Sequence, residues 1–195
     1  MKKEGINAEL IKFLLRKKVK PACLQAGCYI VASKPREKSI MIKKEEIIEA
    51  QKAWGNAIVK IGSLRKNRTL YEKEAEVLIG KLYAVHEKKI LFKPSKATII
   101  QFRENMEAAK SYFIGGDKNF LEDKGFALHP WKKVRFKNSG IILEENRAIA
   151  MGNYFFTDLN NKEIKIEFTL GYFKNTNGEI KIDLHHSSFP YYQAK

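Results

Sequence analysis

Alternating apolar and polar side chains in the C-terminal half constrain the fold of this chain more than any other feature. Between residues 163 and 173 every second side chain is apolar, and most of those in between are polar or charged. A period of two is typical of a β-strand with one buried face. Comparable runs at 132–137, 141–143, 147–157 and 179–188 are separated by short turns rich in Asn. This half therefore predicts an antiparallel meander of strands.

The part of the chain before the meander is predicted to be mainly helical. Apolar residues recur at steps of three and four over 43–64, and shorter helical patterns follow at 69–82 and 104–113. Helices followed by a meander indicate the α+β class, in which the helices cover one face of the sheet. We predict one domain over 43–195, with a curved antiparallel sheet wrapped around the N-terminal helices and a pocket between them.

Positive charge is concentrated at the N-terminus. The chain has 195 residues, with 37 Lys and Arg against 22 Asp and Glu, a formal charge of +15. Residues 1–40 hold ten basic and three acidic side chains, about half of the excess. We predict a basic extension over residues 1–42, which could be a targeting segment, a membrane-surface helix or a plain structural extension. We expect a cytoplasmic protein, or an organellar or exported one if the extension is a targeting segment.

The excess of positive charge raises the question of a nucleic-acid partner. Single-stranded nucleic acids bind where aromatic rings are exposed among Arg and Lys side chains. Here most aromatic residues share faces with aliphatic ones, and the best candidate, WKKVRFK at 131–137, alternates like a half-buried strand. We therefore expect no nucleic-acid partner. Charges interrupt the apolar runs, so no membrane span is expected either.

The last predicted strand carries polar groups at the end of an apolar face. Side chains alternate along a strand, so every second residue from 180 onwards shares one face. Those residues are Ile180, Ile182, Leu184, His186 and Ser188. The apolar start of this face indicates that it points inward and carries His186 and Ser188 into the interior. His185 and Ser187 would then point to solvent or to a partner subunit.

The inward His and Ser have two interpretations. Buried polar groups need hydrogen-bond partners, so His186 and Ser188 could simply satisfy each other and nearby backbone groups. The alternative is a chemical role. A metal site is not expected at this position, because adjacent histidines leave opposite faces of a strand and further ligands are missing. Cys23 and Cys28 likewise lack a second pair of zinc ligands.

Several short segments of the chain, taken in order, resemble a known family. They include LFKPSKA at 91–97, SYFIGGD at 111–117 and DLHHSSFPY at 183–191. The sequence resembles the iota-class carbonic anhydrases, which are related to the association domain of calcium/calmodulin-dependent kinase. The resemblance covers about residues 45–191, and HHSS with the Pro-Tyr after it is the most specific part.

This resemblance implies a fold and an activity. The fold would be the cone-shaped α+β fold of the nuclear-transport-factor-like superfamily, usually dimeric. The activity would be the reversible hydration of carbon dioxide to bicarbonate, which some members perform without a metal. We therefore expect a homodimeric carbonic anhydrase that needs no cofactor, with a zinc or manganese enzyme as the alternative.

The same resemblance implies particular site residues. In metal-free members the hydroxyl groups of a Thr, a Tyr and a Ser, with a His, surround the substrate. The Ser and His would be Ser188 and His186, and the Tyr would be Tyr112. The Thr falls on Ser95, which keeps the hydroxyl but loses the methyl group that stiffens χ1; Thr98 is a less favoured substitute. Ser95, Tyr112 and Ser188 are expected to bind the substrate directly.

Aromatic side chains are expected to form the apolar walls of the pocket. The candidates are Phe102, Phe155 and Tyr172, although plain core packing is the better explanation for each of them taken singly. A non-catalytic module of the same fold, used for oligomerisation or for binding a small molecule, is the alternative function. A small-molecule isomerase or hydrolase is also open, because one fold hosts many activities.

Overall fold

The computed structural model describes residues 41–192 of the chain. The predicted basic extension, residues 1–42, falls almost entirely outside the described residues and stays a prediction. None of the helices in this described part is long and apolar enough to cross a membrane.

Within residues 41–192, three α-helices and a short 3-10 helix precede the meander. They are α1 (Lys44–Ser63), α2 (Arg68–Leu82), α3 (Met106–Ile114) and the 3-10 turn Phe126–Leu128. The Asn67 side chain caps α2 by accepting a hydrogen bond from the Leu70 N–H at 3.2 Å. Asn105 caps α3 in the same way, accepting from the Ala108 N–H at 2.9 Å. Such caps satisfy N–H groups that have no partner inside the helix, and so define where each helix begins.

Five strands form one mixed sheet. They are β1 (Leu91–Lys93), β2 (Trp131–Glu144), β3 (Arg147–Asp158), β4 (Glu163–Lys174) and β5 (Ile180–Ser188). Their order in the sheet is β1-β5-β4-β3-β2. The last four pair antiparallel, as the turn-rich sequence predicts, whereas the short β1 runs parallel to β5 and adds an edge strand.

The segment Asn138–Gly140 is a bulge inside a strand. The sequence predicts two strands, 132–137 and 141–143, joined by a turn, but the structure has the single strand β2. The register against β3 shifts between Asn138 and Gly140. The extra residue is accommodated where Gly152 of β3 faces the bulge, since a side chain there would overlap the Lys137 carbonyl oxygen. The turn-like residues therefore bend one long strand.

Trp54 of α1 lies at the centre of the core, against the inner face of the sheet. Its ring centroid is within 6.3 Å of five other rings. They belong to Phe113, Phe136, Tyr154, Phe156 and His185. Helices thus cover one face of the sheet, which confirms the predicted α+β class.

The β2 bulge generates a prediction about two glycines on opposite strands. The variant Gly152→Ala places a methyl group against the backbone of Lys137 and Ser139, which cannot move without breaking the ladder. We expect it to lower the free energy of unfolding in urea by about 2 kcal/mol or more. Gly140→Ala, at the same bulge with open space around it, should change that free energy by less than about 0.5 kcal/mol. Equal effects of the two substitutions would contradict the bulge geometry.

Candidate active site

One extra residue in β5 reverses the side-chain alternation on which the site depends. Tyr172 of β4 pairs with Ile182, and Gly171 pairs with Leu184, so Asp183 is left without a partner in the ladder. A strand that gains one residue turns all later side chains to the opposite face. The residues after Asp183 therefore face the other way from the prediction.

Asp183 is held at this bulge by two cations. Arg147, at the start of β3, donates to both carboxylate oxygens at 2.7 and 3.0 Å. The Lys88 ammonium donates to the same carboxylate at 3.1 Å. Partial burial raises the pKa of Asp183, but these hydrogen bonds and charges outweigh it and hold the pKa below its usual value. A charged, doubly paired carboxylate thus anchors the extra residue.

The predicted orientation of the HHSS segment is wrong. His185 and Ser187 are 3% and 4% exposed and face the interior, beside Leu170 and Phe168 of β4. The structure places His186 and Ser188 on the outer face, because the bulge moves every later side chain by one position. There, the Ser188 hydroxyl donates to a Glu167 carboxylate oxygen at 3.1 Å. The interior therefore receives a His and a Ser, but they are His185 and Ser187.

His185 lies among aromatic rings and is hydrogen-bonded through both ring nitrogens. Its ring stacks on Phe92, with the centroids 4.6 Å apart. Nδ1 is 2.7 Å from the Tyr83 hydroxyl, and Nε2 is 3.4 Å from the Tyr154 hydroxyl. The Trp54 Nε1–H in turn donates to the Tyr83 oxygen at 2.9 Å. The imidazole is thus fixed from both sides.

Burial keeps this imidazole uncharged. Removal from water lowers the pKa of His185 to about 3, and the nearby charge of His186 adds to this effect. Burial also raises the pKa of Tyr154, and the neighbouring Ser187 side chain opposes this effect only in part. At neutral pH both groups carry no net charge, and His185 is too weak a base to hold a proton.

Ser95 and Tyr112 meet, as the resemblance implies. Their hydroxyl oxygens are 3.3 Å apart. Ser95 follows the end of β1, and Tyr112 lies on α3, where its ring stacks on Phe126. Burial raises the pKa of Tyr112 to about 12, so the phenol keeps its proton at neutral pH.

Phe92 lies between this hydroxyl pair and the buried histidine. Its ring contacts the Tyr112 ring edge-on, with the centroids 5.6 Å apart, and stacks on the His185 ring. Phe92 and Lys93 also pair in parallel with His185 and His186. Because the chain leaves β1 beside the end of β5, Ser95 is carried towards the region of Ser187.

The loop after Ser95 is held by buried and partly buried charges. The Glu122 carboxylate accepts hydrogen bonds from the backbone N–H groups of residues 98–100 at 2.6 to 3.0 Å. These bonds lower the pKa of Glu122 to about 2. The buried Arg103 pairs with Asp123 at 2.9 Å, and the Ser111 hydroxyl donates to the same carboxylate. The Thr98 N–H is one of the groups that donate to Glu122, and its side chain is exposed, so Thr98 is no substitute for Ser95.

The predicted aromatic walls lie elsewhere. Phe102 is 61% exposed, on an outer groove that His186 also lines. Phe155 faces outward, with the Arg135 guanidinium 4.1 Å from its ring centroid. Tyr172 is fully buried and packs as a core residue. Alternation along β3 accounts for the outward position of Phe155, since Tyr154 and Phe156 are the inward residues of that strand.

Sequence reasoning missed four aromatic residues that surround the histidine: Trp54, Tyr83, Phe92 and Tyr154. A strand pattern in 147–157 gives a signal for Tyr154, because it shares a face with the apolar Phe156. Tyr83 carries no such signal, since it follows directly after α2, and only the fold brings it to β5.

Two open cavities lie near these residues. One, of about 460 Å³, is lined by Tyr112, Lys96, Phe126 and the segment 122–131, and it connects the tyrosine with solvent. The other, of about 480 Å³, is the outer groove lined by Leu91, Phe102 and His186. Across residues 41–192 no group of three or more His, Cys, Asp or Glu side chains is placed to hold a metal ion.

The inner face of this α+β fold holds uncharged hydroxyl and imidazole groups, and comparison with known proteins identifies the family of the chain. A family model described as metal-independent carbonic anhydrase matches residues 45–189. The chain belongs to this family of metal-independent carbonic anhydrases. A curated relative of that name from Nostoc sp. is 40% identical over 155 residues, which are 78% of this chain and 76% of the relative. The predictions of a carbonic anhydrase and of its iota class are confirmed.

Solved structures agree with this assignment. The crystal structure of an iota-carbonic anhydrase from a cyanobacterium, complexed with bicarbonate, is 37% identical, with a TM-score of 0.78 over 82% of this chain and 99% of that one. A calcium/calmodulin dependent protein kinase II association domain from Xanthomonas campestris is 21% identical, with a TM-score of 0.50 over 76% of this chain and 89% of that one. The second likeness shows a shared fold alone. The predicted fold class is thereby confirmed.

The buried imidazole predicts sensitivity to acid. A histidine with a pKa near 6.5 in the unfolded chain and about 3 in the fold stabilises the fold fully above about pH 6.5, and this stability is lost as the pH falls towards 3. Between about pH 7.5 and pH 5 we expect the free energy of unfolding in urea to fall by about 2 kcal/mol from this group. The difference should shrink in His185→Gln and persist in the control His86→Gln, whose imidazole is exposed. A full pH difference in His185→Gln would contradict the assignment.

Proposed function

We propose that the protein hydrates carbon dioxide reversibly to bicarbonate without a metal ion, at a site formed by Ser95, Tyr112 and Ser187 and positioned by His185. The observation that carries the proposal is the β5 bulge, which turns His185 and Ser187 inward on the strand next to β1. The family to which the chain belongs supports the reaction. The bound bicarbonate of the cyanobacterial iota-carbonic anhydrase supports the ligand.

Hydration needs an oriented water and donors for the oxygens of carbon dioxide. The water oxygen forms a bond to carbon, one C=O bond loses its π electrons to an oxygen, and one proton leaves to solvent. Charge develops on the carbon dioxide oxygens in the transition state, and fixed hydrogen-bond donors in a dry site stabilise it. Three hydroxyl groups, those of Ser95, Tyr112 and Ser187, are suited to this task.

The neutral character of these groups matches the substrate. Carbon dioxide is apolar, and an uncharged pocket receives it without desolvating an ion. Tyr112 keeps its proton because its pKa is about 12, so it can donate a hydrogen bond throughout the physiological range. Ser95, bonded to Tyr112, can in turn orient the attacking water.

His185 is a positioning residue in this proposal. Its pKa of about 3 and its two hydrogen bonds leave it unsuited to accept the proton of the attacking water. The proton would leave through water in the open cavity next to Tyr112.

The predicted homodimer fits an apolar strip on the outer face of the sheet. Ile142, Ile149 and Met151 are exposed there, and the two isoleucines pair directly across β2 and β3. An exposed apolar patch of this kind is typical of a protein interface. The dimer and the cytoplasmic location stay predictions.

Neighbouring serines of β5 provide a matched test of the site. Ser187→Ala removes a hydroxyl from the proposed site, and Ser188→Ala removes one from the outer face. We expect stopped-flow hydration assays to show a loss of about a hundredfold in kcat for Ser187→Ala, as for other preorganised donors. Ser188→Ala should stay near the wild-type rate. A loss in Ser188→Ala alone would place the chemistry on the outer face and overturn the proposal.

Independence from metal is tested on the same assay. Protein treated with a chelator and then freed of it should hydrate carbon dioxide at an unchanged rate, because the proposed donors are all side-chain hydroxyls. The metal content is measured by mass spectrometry before and after. If activity disappears with the metal and returns with zinc or manganese, the metal-dependent alternative is correct.

A further inference from the structure

A buried chain of hydrogen bonds leads from α1 to the proposed site. It runs from Trp54 through Tyr83 and His185 to Tyr154, and each of these side chains is at most 3% exposed. Buried polar hydrogens need acceptors, so the direction of each bond in the chain follows from the one before it.

The direction is set at the first bond. An indole nitrogen is a donor only, so Trp54 must donate to the Tyr83 oxygen at 2.9 Å. Burial raises the pKa of Tyr83, so the phenol keeps its own hydrogen. The acceptor at 2.7 Å is Nδ1 of His185, and donation to it is the one arrangement of these three groups that leaves no phenol hydrogen unpaired.

The tautomer of His185 fixes the direction of the next hydrogen bond, the one to Tyr154. Because Nδ1 accepts, the proton of a neutral imidazole must be on Nε2. Nε2–H then donates to the Tyr154 oxygen, 3.4 Å away. In the opposite tautomer, the hydrogen on Nδ1 would face the hydroxyl hydrogen of Tyr83. Nε2 would then have no hydrogen to donate to Tyr154.

Tyr154 completes the path to the interior face of β5. Having accepted from Nε2–H, its hydroxyl has its own hydrogen left to donate, and Ser187, the next inward residue of β5 after His185, is the side chain placed to accept it. The Ser187 oxygen then accepts, and its hydrogen is free to point at a substrate oxygen. The reverse direction would present a lone pair of Ser187 to the substrate, which repels a developing negative charge.

We infer that Trp54 and Tyr83 are positioning residues that fix His185 as the Nε2–H tautomer and thereby make Ser187 a hydrogen-bond donor to the substrate. The inference rests on the proposed function for the role of Ser187. The tautomer itself does not depend on it, so the two can fail separately.

The experiment combines two measurements on the full chain. Nitrogen-15 NMR of protein labelled at the histidine ring nitrogens reports the tautomer, and stopped-flow kinetics report the rate of hydration. Wild-type His185 should show a protonated Nε2 and an unprotonated Nδ1. Tyr83→Phe removes the donor to Nδ1 and keeps the ring, so the signal should change to a mixture of tautomers. We expect kcat to fall by about tenfold or more, with little change in KM, because a donor aimed at developing charge acts in the transition state.

Tyr71→Phe is the matched control. Tyr71 is a half-buried tyrosine of α2, and in the part of the chain that the structure describes its hydroxyl makes no hydrogen bond. Its loss should change neither the His185 signal nor kcat.

The outcomes separate the inference from the function. A wild-type His185 protonated on Nδ1 overturns the inference even if the protein hydrates carbon dioxide. A changed tautomer in Tyr83→Phe with unchanged kcat also overturns it. If the tautomer behaves as described but the wild-type protein has no hydration activity, the hydrogen-bond direction stands and the proposed function fails.

Discussion

The proposed chemistry of this fold depends on the single extra residue that Asp183 adds to β5. Without it, Leu184 and His186 would continue the inner face begun by Ile182, and a different His and Ser would enter the interior. The bulge is stabilised by the pairing of Asp183 with Arg147 and Lys88, whose positions at the start of β3 and before β1 are far apart in sequence. A surface ion pair usually contributes little stability. Here its consequence is geometric, since it fixes which residues face the site.

The polar groups that surround His185 in the interior are uncharged. Tyrosines and a histidine are buried among aromatic rings, where loss of water favours their neutral forms. A neutral imidazole that bonds through both nitrogens orients the hydroxyl groups of Tyr83 and Tyr154. In the proposed reaction it would not compete for the proton that hydration releases. Trp54 joins this network to the core, because the same side chain packs against five rings and donates its N–H to Tyr83. The same side chain therefore takes part in core packing and in orienting the proposed site.

The sequence predicts the helices and the meander, because each rests on a local pattern. The family resemblance assigns Ser95 and Tyr112 to one site, and the structure places their hydroxyl groups in contact. The sequence does not predict the two bulges, because a bulge changes the register by one residue without changing the residue types. The HHSS segment shows why this matters: either register sends a His and a Ser inward, so composition cannot distinguish them. Tyr83 follows a helix and meets His185 only through the tertiary fold. The excess of positive charge, by contrast, has no part in the site itself.

The most direct test of the central claim is a crystal structure of this protein with bicarbonate bound. The bicarbonate oxygens should lie within hydrogen-bond distance of the hydroxyl groups of Ser95, Tyr112 and Ser187, on the inner face of the sheet, with His185 behind Ser187. A bicarbonate ion held on the outer face by His186 and Ser188, with the interior left to aromatic packing, would contradict this account of the site.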